Sequence, residues 1–325
     1  LSYVDGFDIT RHWGNKSSYH SANDFDMTRH WGHLSPYHPA DSFGIQDIGI
    51  PSNCEVSQVH ILHRHGQRFP TTAFNDGGNT QRFAYKVGNA SIQRKLSATG
   101  PLAFLNKYQY KLDGGSSSTS YDLLVIPEDG TENNTLVAHD SCRNSDDDII
   151  RCFEDTTQGV FTNNYLKTVL ARLSNYLDPK FNLTIMDVYA MQTICPYEVA
   201  YQGSSDFCRL FTEQEWIDFD YALSLRFYGN RSFGNPTGRV HDIGYVQELL
   251  ARLQNQYIYV GNISVNSTLD NNPTTFPLGQ PFYLDMTHDN IMVGVLSALG
   301  LNYFKGSPTG LPYNITHAPN PPENF

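Results

Sequence analysis

The sequence has few basic residues and no long apolar run, and each shortage excludes a class of protein. It carries 22 Lys and Arg against 33 Asp and Glu, which gives a net charge of -11. An acidic chain without aromatic stacking motifs is not typical of nucleic-acid-binding proteins. No stretch approaches the roughly eighteen uncharged apolar residues that a membrane-spanning helix needs. We therefore expect neither nucleic acid nor a membrane among its partners.

Cysteine is also scarce, and its spacing does not indicate zinc. None of the five cysteines forms a C-x-x-C pair, and their odd number leaves at least one without an internal partner. They are Cys54, Cys142, Cys152, Cys195 and Cys208. The sequence indicates no metal or other cofactor.

Glycosylation sequons, in contrast, are frequent. Asn-x-Ser/Thr begins at Asn15, Asn89, Asn133, Asn182, Asn230, Asn262, Asn266 and Asn314. Such a density has no use in the cytosol. Together with cysteines that fit an oxidising compartment, it predicts a secreted glycoprotein with N-linked glycans, extracellular or in the cell wall. Because the chain begins at Leu1 and shows no signal peptide, we expect a processed form or a fragment.

An internal repeat occupies the N-terminal segment. Phe7 to Ala22 returns eighteen residues later as Phe25 to Ala40, and two copies are too few for a solenoid. The repeated histidines imply no metal-ligand geometry: His12, His20, His30 and His38. We expect the Trp-Gly-x-x-Ser-x-Tyr part of the repeat to pack along the domain surface.

The most informative stretch runs from Val59 to Thr72. Its first residues form an apolar run too short for a helix, which predicts a buried strand stopped by Gly66 and Pro70. Open α/β sheets bind ligands outside the carboxyl ends of their strands. The loop therefore places Arg64, His65 and Arg68 at the mouth of a site. Arginine binds phosphate bidentately, and a histidine between two such clamps can attack phosphorus and carry the phosphoryl group.

Three His-Asp pairs occur, and their contexts separate them. His139-Asp140 lies in a polar loop, and Asp242 of the second pair is interpreted as an N-cap. The third pair, His288-Asp289, follows an alternating strand pattern and precedes a helical run that ends at Gly300. A helix N-terminus favours a bound anion. We select this third pair for the site.

The Arg-His-Gly-x-Arg-x-Pro pattern from Arg64 to Pro70, with the His-Asp-Asn triplet at 288–290, resembles the histidine acid phosphatases, and most closely fungal and yeast phytases. The resemblance implies that His65 is the nucleophile and Asp289 the proton donor. It also implies that Arg64, Arg68 and His288 bind phosphate and that Cys195 and Cys208 form a disulfide. Cys142 and Cys152 are then expected to be reduced or paired with each other, and Cys54 to lack its family partner.

The resemblance further implies an α/β histidine-phosphatase sandwich, similar to phosphoglycerate mutase, with a smaller and mainly helical domain. Residues 43–150 and 259–325 are expected to form the α/β domain and residues 151–258 the helical one, after a duplicated segment at 1–42. Family members carry further residues after Asp113 and beyond Phe325, so the fold is expected to be truncated and to lack one arginine clamp.

Other local patterns give expectations about the elements. Ile92 to Leu112 is predicted to be mostly helical and interrupted by Gly100-Pro101, and residues 113–120 form a linker by composition. A 3.6-residue period from Phe161 to Leu177 predicts a helix. Thr212 and Glu215 form a capping box before another helix, which Gly229 is predicted to end.

The predicted function is acid hydrolysis of phosphomonoesters through a phosphohistidine, with phytate as the favoured substrate. The basic window from Arg64 to Lys111, inside an acidic chain, is interpreted as a funnel for a small polyanion. Alternatives are a broad-specificity acid phosphatase and a catalytically dead secreted glycoprotein that still binds phosphate. A cytosolic mutase or a phosphorelay histidine fits the sequons and cysteines less well.

Overall fold

A computed structural model of the chain describes residues 25–38, 49–65, 78–110, 124–128, 130–141, 148–261, 264–306 and 309–319, with backbone alone at 139–140 and 148–155. These residues form two strands and eight α helices, joined by loops and short 3-10 helices. The elements are β1 (Val59–Arg64), α1 (Asn79–Ile92), α2 (Asp148–Ser174), α3 (Ile185–Gln202), α4 (Glu213–Arg231), α5 (Gly238–His241), α6 (Ile243–Gln254), α7 (Ser267–Asp270), β2 (Phe282–Thr287) and α8 (Asp289–Ala298). Among the helices that the structure describes, none combines the length and apolar composition that a membrane crossing requires.

The two strands pair in parallel, which confirms the strand predictions. Val59 lies opposite Phe282, and the register continues to Arg64 opposite Thr287. Alternate residues point to opposite faces of a strand. On one face, Leu62 packs against a small cluster of Tyr245, Ile291 and Val295 from helices α6 and α8.

The prediction of a buried strand at β1 is wrong for the other face of the sheet. There Val59 is 42% exposed and Ile61 is 37% exposed, and the residues opposite them on β2, Phe282 and Leu284, are 53% and 49% exposed. The apolar run identified a strand correctly. It could not identify what covers each face, because helices α6 and α8 pack on one side only.

The main core lies among helices α1 to α4. The predicted period in α2 is confirmed as far as Leu173, since Phe161, Tyr165, Leu166, Val169 and Leu173 are all buried, but the helix ends at Ser174, before Leu177. They pack with aromatic residues of α4, where the rings of Phe161 and Tyr221 meet edge to face at 5.1 Å. Large aromatic side chains bury the most apolar area per residue, so this cluster dominates the apolar stabilisation.

The N-terminal segment does not pack along the surface as expected. Trp31 is fully buried and lies edge to face with Trp216, their ring centroids 6.3 Å apart. Gly32 has a positive φ of 54°, and a Cβ there would lie 2.7 Å from a methyl group of Leu223. Glycine therefore allows the chain to bring Trp31 into the helical core. Tyr37, at the end of the segment, is exposed.

Helix α4 has the predicted capping box. The Thr212 hydroxyl accepts from the backbone N–H of Glu215, whose carboxylate accepts from the N–H of Thr212. The predicted end at Gly229 is wrong, because the helix continues to Arg231. The side-chain amide of Asn235 donates to the carbonyls of Gly229 and Asn230 and so satisfies the final turn.

The helix predicted from Ile92 to Leu112 is also wrong. Ile92 is the last residue of α1, a loop follows, and a 3-10 helix runs over Gly100–Lys107. Gly100 does not interrupt a helix but begins one. Its φ is 51°, and a Cβ at this position would lie 2.5 Å from the ring of Tyr176. The linker predicted at residues 113–120 lies outside the described residues, and the domain boundaries at 42, 150 and 258 stay predictions.

Candidate active site

The two strands end side by side, and predicted site residues follow both of them. His65 comes directly after β1 and His288 directly after β2. The N–H of His65 donates to the carbonyl of Thr287 at 2.8 Å, which extends the strand pairing by one bond. The imidazole rings are 5.2 Å apart and inclined by 70°. The parallel register thus brings together two histidines from distant parts of the sequence.

Arg64 and Asp289 form a second pair at the same edge. Nε of Arg64 lies 3.2 Å from Oδ2 of Asp289, with the side chains 29% and 28% exposed. The Arg64 guanidinium also donates to the carbonyl of His33. Partly exposed ion pairs contribute little to stability. A phosphate group can therefore replace Asp289 as the partner of Arg64 at small cost.

Asp289 is the first residue of α8, and its environment holds it ionised. Burial raises the pKa of its carboxyl, but the charges of His33 and Arg64, a hydrogen bond from the N–H of Asn290 and the charge of Arg226 outweigh that effect. The pKa of Asp289 therefore lies below its ordinary value. The dipole at the N-terminus of α8 also favours negative charge here. Asp289 therefore becomes protonated only when further negative charge nearby raises its pKa.

Glu128 is a residue of the site that the sequence did not reveal. Both of its carboxylate oxygens lie 3.2 Å from Nε2 of His288. The Glu128 side chain is 59% exposed, whereas that of His288 is 20% exposed. This carboxylate orients the imidazole. Nothing in the sequence distinguishes Glu128 from Glu132, because the contact spans 160 positions of the chain.

His33 and Arg226 were missed as well. Both contribute positive charge at Asp289. The His33 ring packs edge to face on Phe227, which follows Arg226 in α4, with centroids 5.2 Å apart. The buried Trp31 thus anchors a segment that reaches the site two residues later. Arg68, the second predicted phosphate clamp, lies outside the described residues.

The second His-Asp pair is buried away from this cluster. Asp242 precedes α6 as predicted, but its side chain makes no capping bond. It is fully buried, and neither of its oxygens has a hydrogen-bond partner in the described part of the chain. Burial raises the pKa of Asp242 well above its ordinary value, although Arg231 opposes this. Its Oδ2 faces Gly294, where a Cβ would collide with it. At the first pair, the backbone of His139 and Asp140 lies in a 3-10 helix over Thr135–Ser141, and their side chains are not described.

The predicted disulfide is confirmed. Cys195 in α3 and Cys208 are bonded, with Cα atoms 5.0 Å apart. Cys54 is free and exposed. Cys142 lies outside the described residues, and the side chain of Cys152 is not described, so their pairing stays a prediction.

The glycosylation sequons differ in exposure. Four of their asparagines are exposed: Asn89, Asn133, Asn182 and Asn314. Asn230 and Asn266 are half-buried, and Asn15 and Asn262 lie outside the described residues. The side chains of Asn133 and Asn266 are engaged in hydrogen bonds with Val265 and Glu132. Glycosylation stays a prediction at all eight positions.

The repeated histidines were not expected to bind a metal. In the part of the chain that the structure describes, no three His, Cys, Asp or Glu residues form a group that could hold a metal ion. His30 instead stacks on Phe25 at 4.8 Å and lies 3.5 Å from a carboxylate oxygen of Asp220. His12 and His20 lie outside the described residues.

Comparison with known proteins extends what the geometry indicates. Phytase A of Aspergillus awamori is 29% identical over 338 aligned residues, which cover 82% of this chain and 69% of that protein. Phytase A of Aspergillus terreus is 29% identical, with 80% and 69% covered. Phytase A of Neurospora crassa is 36% identical over 202 residues, 55% of this chain and 38% of that one.

The fold is similar to that of the solved phytase from D. castellii. The TM-score is 0.68 at 23% identity, over 94% of this chain and 74% of that one. This likeness confirms the predicted α/β histidine-phosphatase fold. Residues 116–322, more than half of the chain, match the model of the histidine phosphatase superfamily, branch 2; they include His288 and Asp289, whereas Arg64 and His65 precede them. The chain therefore belongs to the histidine phosphatase superfamily (branch 2).

Proposed function

We propose that this chain is a secreted acid phosphomonoesterase that acts through a phosphohistidine, with phytate as its substrate. One observation carries the proposal. The rings of His65 and His288 meet at 5.2 Å beside the Arg64–Asp289 pair, at the carboxyl ends of two parallel strands. This arrangement supports a site in which His65 is the nucleophile, Arg64 and His288 bind phosphate, and Asp289 donates the proton.

In the first step, an imidazole nitrogen of His65 attacks phosphorus and the bond from phosphorus to the ester oxygen breaks. Arg64 and His288 stabilise the phosphoryl oxygens as charge redistributes. The leaving oxygen takes the proton of Asp289 and departs as the alcohol. Glu128 keeps the imidazole of His288 in orientation from the other side.

In the second step, water attacks the phosphohistidine. The carboxylate of Asp289 accepts a proton from that water, the bond from phosphorus to nitrogen breaks, and inorganic phosphate leaves. The same side chain therefore acts first as acid and then as base. Both roles require Asp289 to exchange its proton within one turnover.

The charge arrangement explains why acid conditions suit this cycle. In the ligand-free site, the pKa of Asp289 lies below its ordinary value because of His33 and Arg64. A bound phosphate neutralises Arg64 and adds negative charge, and both effects raise the pKa of Asp289. Protonation on substrate binding is thus favoured at low pH. We expect the rate to fall as pH rises and Asp289 in the complex loses its proton.

Three observations support phytate and secretion. The relatives in three fungi are phytases by name. His33 and Arg226 add positive charge beside Arg64, which suits a substrate with several phosphate groups. The Cys195–Cys208 disulfide and the four exposed sequons fit an oxidising, secretory route.

Trapping the intermediate tests the nucleophile. After a rapid alkaline quench with radiolabelled phosphate ester, we expect acid-labile label on His65 and none in His65→Ala. His63→Ala is the matched control, because His63 is exposed within β1, on the face away from Leu62, and should keep the label. Labelling that survives in His65→Ala rejects the mechanism. A protein that binds phosphate but never becomes labelled supports the catalytically dead alternative.

Two further measurements test the acid and the substrate. Asp289→Asn should retain phosphorylation only with activated aryl phosphates, whose leaving groups need no proton; equal losses on phytate and on such an ester reject Asp289 as the acid. Comparing turnover of phytate and p-nitrophenyl phosphate at acid pH tests the substrate. A large preference for the simple ester favours a broad-specificity phosphatase.

Glycosylation has its own test. Secreted protein from a eukaryotic host should gain electrophoretic mobility after enzymatic deglycosylation, and peptide mapping should locate glycans on the exposed asparagines. Unchanged mobility contradicts the glycoprotein prediction without affecting the catalytic proposal.

A further inference from the structure

A second concentration of positive charge lies on α1, in a cleft that shares no residue with the active-site cluster. The cleft has a volume of about 460 Å³, within the range of small-molecule sites. Four cationic side chains line it, and none of the lining residues is acidic: the cations are Arg82, Lys86, Lys95 and Lys180. In a chain of net charge -11, such a grouping needs an explanation.

Two of the cations are fixed in place from behind. Arg82 lies 2.9 Å from one oxygen of the buried Asp187, and Lys86 binds its other oxygen. Lys86 also donates to the carbonyl of Asn182 at 2.7 Å and sits 4.9 Å from the centre of the Phe181 ring. Burial raises the pKa of Asp187, but hydrogen bonds from Lys86 and Thr184 outweigh it, so this carboxylate is firmly ionised.

The other two cations have no anionic partner among the described residues. Lys95 follows the end of α1, and Lys180 lies in the 3-10 helix Pro179–Phe181. Neither ammonium group has an ion pair or a hydrogen bond with a described residue. Asp178 is the nearest acidic residue along the chain, but its carboxylate accepts from the backbone N–H of Lys180. Four cations thus face one concavity, with the single carboxylate of Asp187 behind them.

We propose that this cleft binds a small polyanion that carries at least two phosphate groups. Arg82 and Lys86 form its rigid floor, while Lys95 and Lys180 contact the ligand from the loop after α1 and from the 3-10 helix. A concave surface of one charge sign raises the local concentration of such an anion. Four cations against one carboxylate leave three positive charges, more than one phosphate group neutralises. The site binds its ligand whether or not His65 turns a substrate over.

A glycan on the Asn89 sequon would compete with the ligand for the cleft. Asn89 is exposed and lines the same cleft. A glycan attached there occupies the space of the ligand. Binding is therefore to be measured on protein made without N-glycans.

The test counts bound ligand in a His65→Ala background, which prevents turnover. The ligand is myo-inositol hexakisphosphate, titrated by calorimetry at low salt. Adding Lys95→Glu/Lys180→Glu to His65→Ala should lower the number of ligands bound per chain by one. The matched control is Lys107→Glu/Lys167→Glu, which changes net charge equally at exposed positions outside the cleft and should lose none. Lys95→Gln/Lys180→Gln should weaken the same site by about tenfold, since attraction between charges near the surface is modest.

Two outcomes overturn the proposal. One is equal stoichiometry and affinity in the Lys95/Lys180 and Lys107/Lys167 variants. The other is inorganic phosphate binding the cleft as tightly as the hexakisphosphate. Hydrolysis of p-nitrophenyl phosphate by Lys95→Glu/Lys180→Glu with His65 intact should match the parent, so failure of the cleft and failure of the catalytic proposal give different results.

Discussion

The helical part of the chain is held together by aromatic and aliphatic packing, whereas the sheet is held by a few polar contacts. Trp31, Phe161 and Trp216 are fully buried in one continuous core. The cluster beside the sheet has three buried residues, and one face of the sheet is exposed. The residues of the candidate site follow those same strands. The candidate site is thus located where apolar packing is thinnest, and charge and hydrogen bonding must hold its geometry.

The largest effect is expected from Trp216→Ala in the helical core. Removing a fully buried tryptophan leaves a cavity and should cost about 3–5 kcal/mol in the free energy of unfolding. Ile61→Ala on the exposed face of the sheet should cost less than about 1 kcal/mol. Urea titrations of both variants check the contrast. Equal losses would mean that the exposed face is covered in solution.

A loss of about 3 kcal/mol is expected from Arg252→Met, which breaks the main polar contact of the sheet. Arg252 binds both oxygens of Asp285 and lies over the rings of Phe276 and Tyr283 at 5.1 and 4.9 Å. The variant leaves a carboxylate 16% exposed without its cation.

The control for Arg252→Met is Arg209→Met. Arg209 pairs with Asp206 at the surface, with side chains 68% and 50% exposed, and its loss should cost under about 1 kcal/mol. Unfolding midpoints in urea separate the two. If Arg252→Met lowers the free energy of unfolding no more than Arg209→Met does, the view that polar contacts hold the sheet is wrong.

Glu128→Gln should reduce kcat/KM about tenfold, or roughly 1.4 kcal/mol, without changing stability. The variant keeps the shape of the side chain but removes the charge that orients His288. Glu132→Gln is the matched control, because Glu132 is also exposed and contacts Asn266 rather than the site. Steady-state kinetics on an aryl phosphate measure both. An unchanged kcat/KM in Glu128→Gln removes this residue from the mechanism.

The smallest change in the free energy of unfolding at any single pH is expected from two carboxyl groups behind the sheet, those of Asp270 and Glu248. Burial raises the pKa of Asp270 to about 6 and that of Glu248 well above its ordinary value. Unfolded carboxyls titrate near pH 4. Folding stability from these groups is therefore complete below about pH 4 and is lost as pH rises through 6 and beyond.

Glu248→Gln tests this pH dependence. The variant removes one of the two coupled groups while leaving a partner for Thr135, whose hydroxyl donates to Glu248 at 2.8 Å. Unfolding free energies measured from pH 4 to 7 should fall less steeply than in the parent. An unchanged slope assigns the pH dependence to other groups.

Local rules predicted the central pair of strands, and the resemblance to the histidine acid phosphatases led us to expect His65 and His288 in one site. An apolar run followed by glycine marks a strand end, and parallel strands expose their carboxyl ends at one edge. Glu128 and His33 were not predictable in this way. Each reaches the site through contacts between distant segments, and one of them depends on the burial of Trp31 in another part of the fold.

The predictions of helix boundaries were wrong for a similar reason. Gly229 looked like a helix end, but the side chain of Asn235 folds back to satisfy the final carbonyls, so the helix continues. Helix α1 escaped detection because its buried apolar residues are only Phe83 and Val87, and Ile92 at its end is 82% exposed. Tertiary packing, rather than local periodicity, stabilises both segments.

The parallel register of β1 and β2 also has a consequence for biosynthesis. Helices α1 to α4 complete the aromatic core before β2 leaves the ribosome, because every one of them precedes it in the sequence. His65 therefore cannot meet His288 until β2 has been translated. Closing so long a loop comes late in folding, since its entropy cost precedes the contacts that compensate it. A nascent or partly folded chain therefore lacks the paired histidines of the candidate site.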